Sequence, residues 1–190
     1  MIEARHIRVT GTVQGVGFRP FVWRLAQELA LTGWVRNDAS GVEIEAEGEG
    51  PQLDQLLQRL RLDAPPRARV DEVREHPATP RGAAAFTIAA SGGGTTTTPV
   101  AEDTGLCTDC LAELFDPQGR RWRHPFITCT HCGPRYTLTR RIPYDRANTS
   151  MGAFPLCDDC AREYADPADR RYHAEPTCCP NCGPQLRLVD

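Results

Sequence analysis

Eight of the nine cysteines stand in four C-x-x-C pairs, Cys107/Cys110, Cys129/Cys132, Cys157/Cys160 and Cys179/Cys182. Two thiolates three positions apart can grip one ion from a tight turn, and two such turns complete a tetrahedral four-sulfur shell. The pairs form C-x2-C-x18-C-x2-C twice, a spacing suited to Zn2+. Taken sequentially, Cys107, Cys110, Cys129 and Cys132 hold one zinc ion, and Cys157, Cys160, Cys179 and Cys182 hold a second. A crossed arrangement that mixes pairs from both copies stays open, as do an iron–sulfur or dithiol redox site and disulfides. A closed four-thiolate shell leaves no position for substrate, so its role is structural. Cys178 falls outside the pattern and reads as a bystander. Gly133 and Gly183 follow the last cysteine of each copy, where a positive φ would turn backbone N–H groups toward sulfur. His124, His131 and His173 read as surface or packing residues.

A second place for chemistry lies near the N-terminus. Thr10-Gly-Thr-Val-Gln-Gly-Val-Gly-Phe-Arg-Pro20 joins a strand to a helix. Its glycines let the backbone curl, and the helix N-terminus adds partial positive charge, so Gln14, Gly15, Val16, Gly17, Phe18 and Arg19 can cradle an anion. The planar fork of Arg19 suits a phosphoryl group. The glycine spacing is not that of a dinucleotide fingerprint. Asn37, in Gly33-Trp-Val-Arg-Asn37, is an ordinary turn-former by itself; beside a phosphate cradle its amide could position a water.

The elements that must hold these groups can be read from periodicity. Alternation predicts strands over Arg5–Thr10, Gly33–Asn37, Val42–Glu47, Val70–Glu75 and Ala85–Ala89, and the strict alternation of Val42–Glu47 gives that strand one wet face. Apolar residues at helical spacing predict helices over Pro20–Leu31 and, entered after Pro51, through Leu53, Leu56, Leu57 and Leu60. The order βαββαβ, with room for an extra strand, predicts an α+β ferredoxin-like sandwich with two helices on one face of an antiparallel sheet. Ser91–Pro99 is small and polar and reads as a linker. Beyond it the chain repeats with a period of 50: Asp116-Pro117 matches Asp166-Pro167, and Arg120-Arg121-Trp122 matches Arg170-Arg171-Tyr172. Two copies of one unit are expected. The divisions that follow are 1–90 for the first domain and 91–104 for the linker. They continue with 105–134 for the first zinc unit, 135–155 for a connector, 156–185 for the second unit and 186–190 for the start of a further region.

Composition excludes several classes. All 22 basic residues are arginine, so no lysine-dependent phosphate loop or Schiff base is available. No stretch reads as a membrane span or a signal peptide, which with reduced thiols points to the cytoplasm. Residues 107–182 carry ten arginines and ten acidic residues, without the basic excess that nucleic acid binding needs.

The stretches V-Q-G-V-G-F-R, G-W-V-R-N and G-V-E-I-E-A-E-G, in that order over residues 1–90, resemble the acylphosphatase family. The resemblance implies that Arg19 binds the phosphoryl group, that Asn37 orients the attacking water, and that residues 14–18 complete the cradle. Followed by paired zinc units and by I-P-Y-D-R and R-R-Y-H-A-E-P, almost the whole chain resembles the N-terminal region of the HypF family of carbamoyltransferases, which serve [NiFe] hydrogenase maturation. That resemblance implies carbamoyl phosphate or another acyl phosphate as substrate and, through the full-length protein, HypE as partner. Family members continue into nucleotide-binding and carbamoyl-transfer domains. A chain ending at Asp190 is therefore expected to be a fragment or truncated product that hydrolyses an acyl phosphate at most. A non-catalytic zinc-binding scaffold is the competing expectation.

Overall fold

A computed structural model describes residues 2–93, 97–99, 101–132 and 135–189. Gly133 and parts of the linker (94–96 and 100) lie outside the described residues. The first seven elements are β1 (Ile2–Thr12), α1 (Phe18–Glu28), β2 (Thr32–Asp38), β3 (Gly41–Glu49), α2 (Gly50–Leu62), β4 (Arg69–Ala78) and β5 (Phe86–Ile88). The sheet runs β4-β1-β3-β2-β5. All neighbours are antiparallel except β2 and β5, which pair in parallel at one edge. This is the acylphosphatase-like ferredoxin-type sheet, with β5 as the extra strand.

Alternation places Ile7, Val9, Val42, Ile44 and Ala46 on one face, where they form a single core with Phe21, Val22 and Leu25 of α1 and Leu53, Leu56 and Leu60 of α2. Each such buried side chain contributes about 2 kcal/mol. The opposite face of β3 is not wet, contrary to its alternating pattern: Glu43, Glu45 and Glu47 are all buried. Glu43 accepts from Arg36 Nε at 2.7 Å, and Glu47 accepts from the backbone N–H groups of Arg81 and Gly82. Arginines and the 81–82 segment cover these carboxylates. Burial pushes Glu43 up, but hydrogen bonds from Arg36 and His6 outweigh it and hold the carboxyl below its usual range.

Helix α1 begins before Pro20. Gly17 adopts a left-handed φ of 76° as its N-cap, and Phe21 N–H already donates to Gly17 O at 3.0 Å. The helix also ends earlier than its apolar periodicity suggests. Ala30 turns left-handed (φ 52°), so that Leu31 N–H reaches back to Ala26 O.

The linker segment is tied down where it is described. Gly92 N–H donates to Asn37 O, and Thr97 N–H donates to Ala39 O. Beyond it, α3 (Thr108–Phe115) and α4 (Asp158–Ala165) occupy equivalent places in the two repeats. The rest is short 3-10 turns at 130–132, 136–138, 146–148 and 150–153. The apolar cluster of the first copy consists of Cys110, Ile127, Cys129 and Cys132 with a few partly buried neighbours. No described helix is long and apolar enough to cross a membrane.

Candidate anion pocket and zinc centres

The Sγ atoms of Cys107, Cys110, Cys129 and Cys132 all lie within 4.8 Å of one another, and so do those of Cys157, Cys160, Cys179 and Cys182. Neighbouring sulfurs stand 3.5–3.9 Å apart in the first group and 3.7–3.8 Å in the second. A disulfide needs about 2.05 Å, whereas sulfurs ~2.3 Å from a tetrahedral ion are roughly 3.8 Å apart. The donor set and its spacing fit Zn2+. Cys107 and Cys157 are the N-caps of α3 and α4.

The two copies exchange their arginine pairs. Arg120 Nη1 and Arg121 Nη2 of the first copy donate to Cys160 Sγ of the second, at 3.2 and 3.3 Å. Arg170 Nη1 of the second donates to Cys110 Sγ of the first at 2.9 Å. Arg121 Nε donates to Cys178 O, and its counterpart Arg171 Nε donates to Thr128 O. Arg121 also pairs with Glu163, and Arg170 and Arg171 pair with Glu113. Burial raises Glu163, but the hydrogen bonds from Arg121 and Arg120 outweigh it and hold the carboxyl down at about 2. Four thiolates around Zn2+ leave a net charge of about −2, and each copy's guanidinium groups offset the charge of the other.

Cys178 is outside both groups. Its Sγ faces His124 Nε2 at 3.2 Å. Gly183 does not have the positive φ anticipated for it. Its requirement is space, since an added Cβ would come 2.8 Å from Cys178 Sγ. His124 is buried, His173 packs between Tyr164 and Tyr172, and His131 is exposed.

The anion cradle is built at the β1–α1 turn. Gly15 and Gly17 both take positive φ, 72° and 76°, so the turn curls onto the N-terminus of α1. Gln14 is buried; its amide donates to Asp38 O and Gly41 O, fastening the cradle to the β2–β3 turn. Arg19 extends from the first turn of α1, and Asn37 sits near the end of β2. Arg19 and Asn37 line one pocket with Gly15, Gly17 and Phe18.

Sequence reasoning missed what closes this pocket. Arg19 Nη2 donates to Glu175 Oε1 at 2.6 Å, and Nη1 donates to Asp145 Oδ1 at 3.0 Å. Arg19 is 8% exposed and Glu175 is 2% exposed. Tyr144 N–H donates to Gln14 Oε1 at 2.8 Å, and Asn37 Nδ2 donates weakly to Tyr144 O at 3.4 Å. Asn37 Oδ1 is buried without a partner among the described residues. Thr130, His173 and Pro176 complete the walls, and the cavity encloses about 10 Å³, roughly what one water needs. Burial pushes Glu175 above the usual carboxylate range even though the Arg19 charge pulls it down. The I-P-Y-D-R and R-R-Y-H-A-E-P stretches that carried the family resemblance are the segments that meet at Arg19. They were the available signal.

Residues 5–88 match the acylphosphatase family, and residues 106–139 and 156–189 match the HypF finger. The tetrads and this match together make it a two-zinc protein. "Carbamoyltransferase HypF2" of Cupriavidus necator is 59% identical over 152 residues, covering 78% of this chain and 19% of that protein. An acylphosphatase of Chlorobaculum tepidum is 46% identical over 76 residues, covering 39% of this chain and 82% of that protein. Full-length HypF, solved in a phosphate- and nucleotide-bound form, is 46% identical with a TM-score of 0.96, over 100% of this chain and 25% of that one. The chain thus spans about a fifth of the length of the curated HypF relative. Through residues 5–88 the chain belongs to the acylphosphatase family, and with the paired HypF fingers behind them it corresponds to the N-terminal region of a HypF carbamoyltransferase.

Proposed function

We propose that the pocket binds and hydrolyses carbamoyl phosphate or another small acyl phosphate, as part of a cytoplasmic carbamoyltransferase. The observation that carries this reading is Asn37 Oδ1, a buried acceptor without a partner among the described residues, in the pocket of Arg19 and the cradle. A water donating to that oxygen would stand beside a phosphoryl group held by Arg19 and the 14–18 backbone. The water oxygen bonds to phosphorus as the bridging P–O bond breaks. The leaving carboxylate, carbamate in the case of carbamoyl phosphate, keeps the electron pair, and both water protons end on the phosphate. An acyl phosphate has a good leaving group, so positioning and charge stabilisation suffice without a general base. The eight paired cysteines are assigned as the ligands of the two structural zinc ions. The 1–90 domain would do the hydrolysis and the 105–185 region would support it. Carbamoyl transfer to HypE belongs, on this reading, to the full-length protein.

A second reading, a non-catalytic scaffold, is favoured by one observation: both terminal nitrogens of Arg19 are already taken by carboxylates. Hydrolysis of carbamoyl phosphate by the zinc-loaded chain separates the two. The hydrolase reading expects activity that falls by about 100-fold or more in Arg19→Ala, with a clear loss in Asn37→Ala. Activity that is absent, or indifferent to Arg19, leaves the scaffold.

A further inference from the structure

Glu175 comes from outside the acylphosphatase match at 5–88, yet it is the closest partner of the arginine in the pocket. Three donors hold its carboxylate: Arg19 Nη2 on Oε1, and Arg146 N–H and Tyr164 Oη on Oε2, each of the latter at 2.9 Å. A cavity of about 10 Å³ cannot admit a phosphoryl group while Glu175 stays on Arg19. A phosphoryl dianion in the pocket would also set a second negative charge directly against the Glu175 carboxylate, and like charges in contact disfavour each other, so Glu175 gives up Arg19 as the phosphoryl group takes it. Phosphoryl binding then strips Oε1 of its one donor among the described residues, in a place where Glu175 is 2% exposed. A buried carboxylate left short of a donor is costly. The cost is relieved when the other end of the ligand brings an N–H to the same place. The amide end of a carbamoyl group does so, whereas a methyl or phenyl group cannot. A site with a buried polar group discriminates strongly against an analogue that fails to pair it.

We propose that Glu175 is a specificity-determining residue of this pocket: it yields Arg19 to the phosphoryl group and accepts an N–H from the acyl group, so that the second zinc unit selects acyl phosphates bearing an amide nitrogen. This rests on the acyl phosphate reading above. The tyrosine and backbone donors on Oε2 stay in place during the exchange and keep the carboxylate aimed at the pocket.

The test uses two ligands that cannot be hydrolysed and differ only in NH2 against CH3, phosphonoacetamide and acetonylphosphonate, with inorganic phosphate as a third probe. Binding to the full 190-residue chain is measured by calorimetry. Wild type is expected to prefer phosphonoacetamide on the order of tenfold or more. Glu175→Met keeps the side-chain length without the acceptor, and Glu175→Ala is the fallback; folding of each is checked by zinc content. In these variants the preference should collapse toward unity while inorganic phosphate binds at least as well as to wild type. Equal binding of the pair by wild type, no binding of either by wild type, or a preference that survives both variants overturns the proposal. Arg19→Ala separates the two claims. If it leaves all three probes bound as before, the anion site itself is wrong. If it abolishes binding while Glu175→Met leaves the preference intact, only the role of Glu175 fails.

Discussion

The two zinc units differ where they face outward and agree where they face each other. The cysteine pairs, Glu113/Glu163 and the double arginines recur at an offset of 50, and these are the groups that reach from one copy to the other's tetrad. Past the double arginines the copies diverge: Trp122-Arg-His-Pro125 in the first stands opposite Tyr172-His-Ala-Glu175 in the second. Trp122 is 47% exposed, whereas Tyr172 is 8% exposed and meets the Trp23 ring edge to face at 5.8 Å. The second copy spends this segment on the anion pocket, whereas in the first Trp122, Arg123 and Pro125 are exposed and His124 turns inward to Cys178. A duplicated unit has thus kept its mutual contacts while one copy took on a different neighbour.

The largest effect should come from breaking mutual support. Cys160→Ser removes one thiol of the second tetrad, the sulfur that Arg120 and Arg121 contact. Structural zinc binding is worth about 10–16 kcal/mol to small zinc peptides, and the apolar cluster of the first copy is too small to stand alone. Zinc per purified chain is expected to fall well below one ion. A stable one-zinc chain would show that the copies fold independently.

A smaller effect should separate the outward faces. Tyr172→Ala opens a cavity against Trp23 and is expected to cost about 3 kcal/mol in thermal or chemical unfolding. Trp122→Ala should stay within about 0.5 kcal/mol. Equal costs would mean that the exposed face of the first copy carries as much packing as the covered face of the second.

The smallest effect is a pH dependence. Burial, with Arg121 nearby, lowers His124 to about 4, and burial, with Arg19 nearby, lowers His173 to about 4. Both are therefore neutral in the folded chain well below the ordinary histidine value of 6.5. Their folded values are depressed, so the stability tied to keeping them neutral is present above pH 6.5 and is lost as pH falls from there toward 4. Replacing either by Gln should flatten part of that acid slope in an unfolding titration. His173→Gln should in addition disturb the packing of Tyr172, which His124→Gln leaves alone.

Periodicity made the sheet and both of its helices legible, because alternation and helical spacing are local consequences of which side chains enter the core. The start of α1 was misplaced by two residues because Gly17 caps it in a left-handed conformation that no apolar pattern signals. The glutamates of β3 looked solvated because alternation reports polarity and not what lies above a polar face. Here that is arginine and the 81–82 backbone. The cysteines' metal spacing was equally accessible, since two C-x-x-C turns joined by a short arm can meet around one ion; that they gather sequentially and not crossed between copies came from the structure.

The partners of Arg19 were not accessible in that way. Asp145 lies 126 residues away and Glu175 lies 156 residues away. The zinc region offers ten acidic side chains, with nothing local to say which would reach the pocket. By itself the sequence determined the chemistry available: thiolates at metal spacing, an arginine at the end of a glycine-rich turn, an asparagine at the end of a strand, and a unit repeated every 50 residues. Only the tertiary structure decided that the repeats brace each other's tetrads and that the second closes over Arg19. Local spacing sets which groups a turn can bring together, whereas a contact between distant segments depends on how whole domains pack.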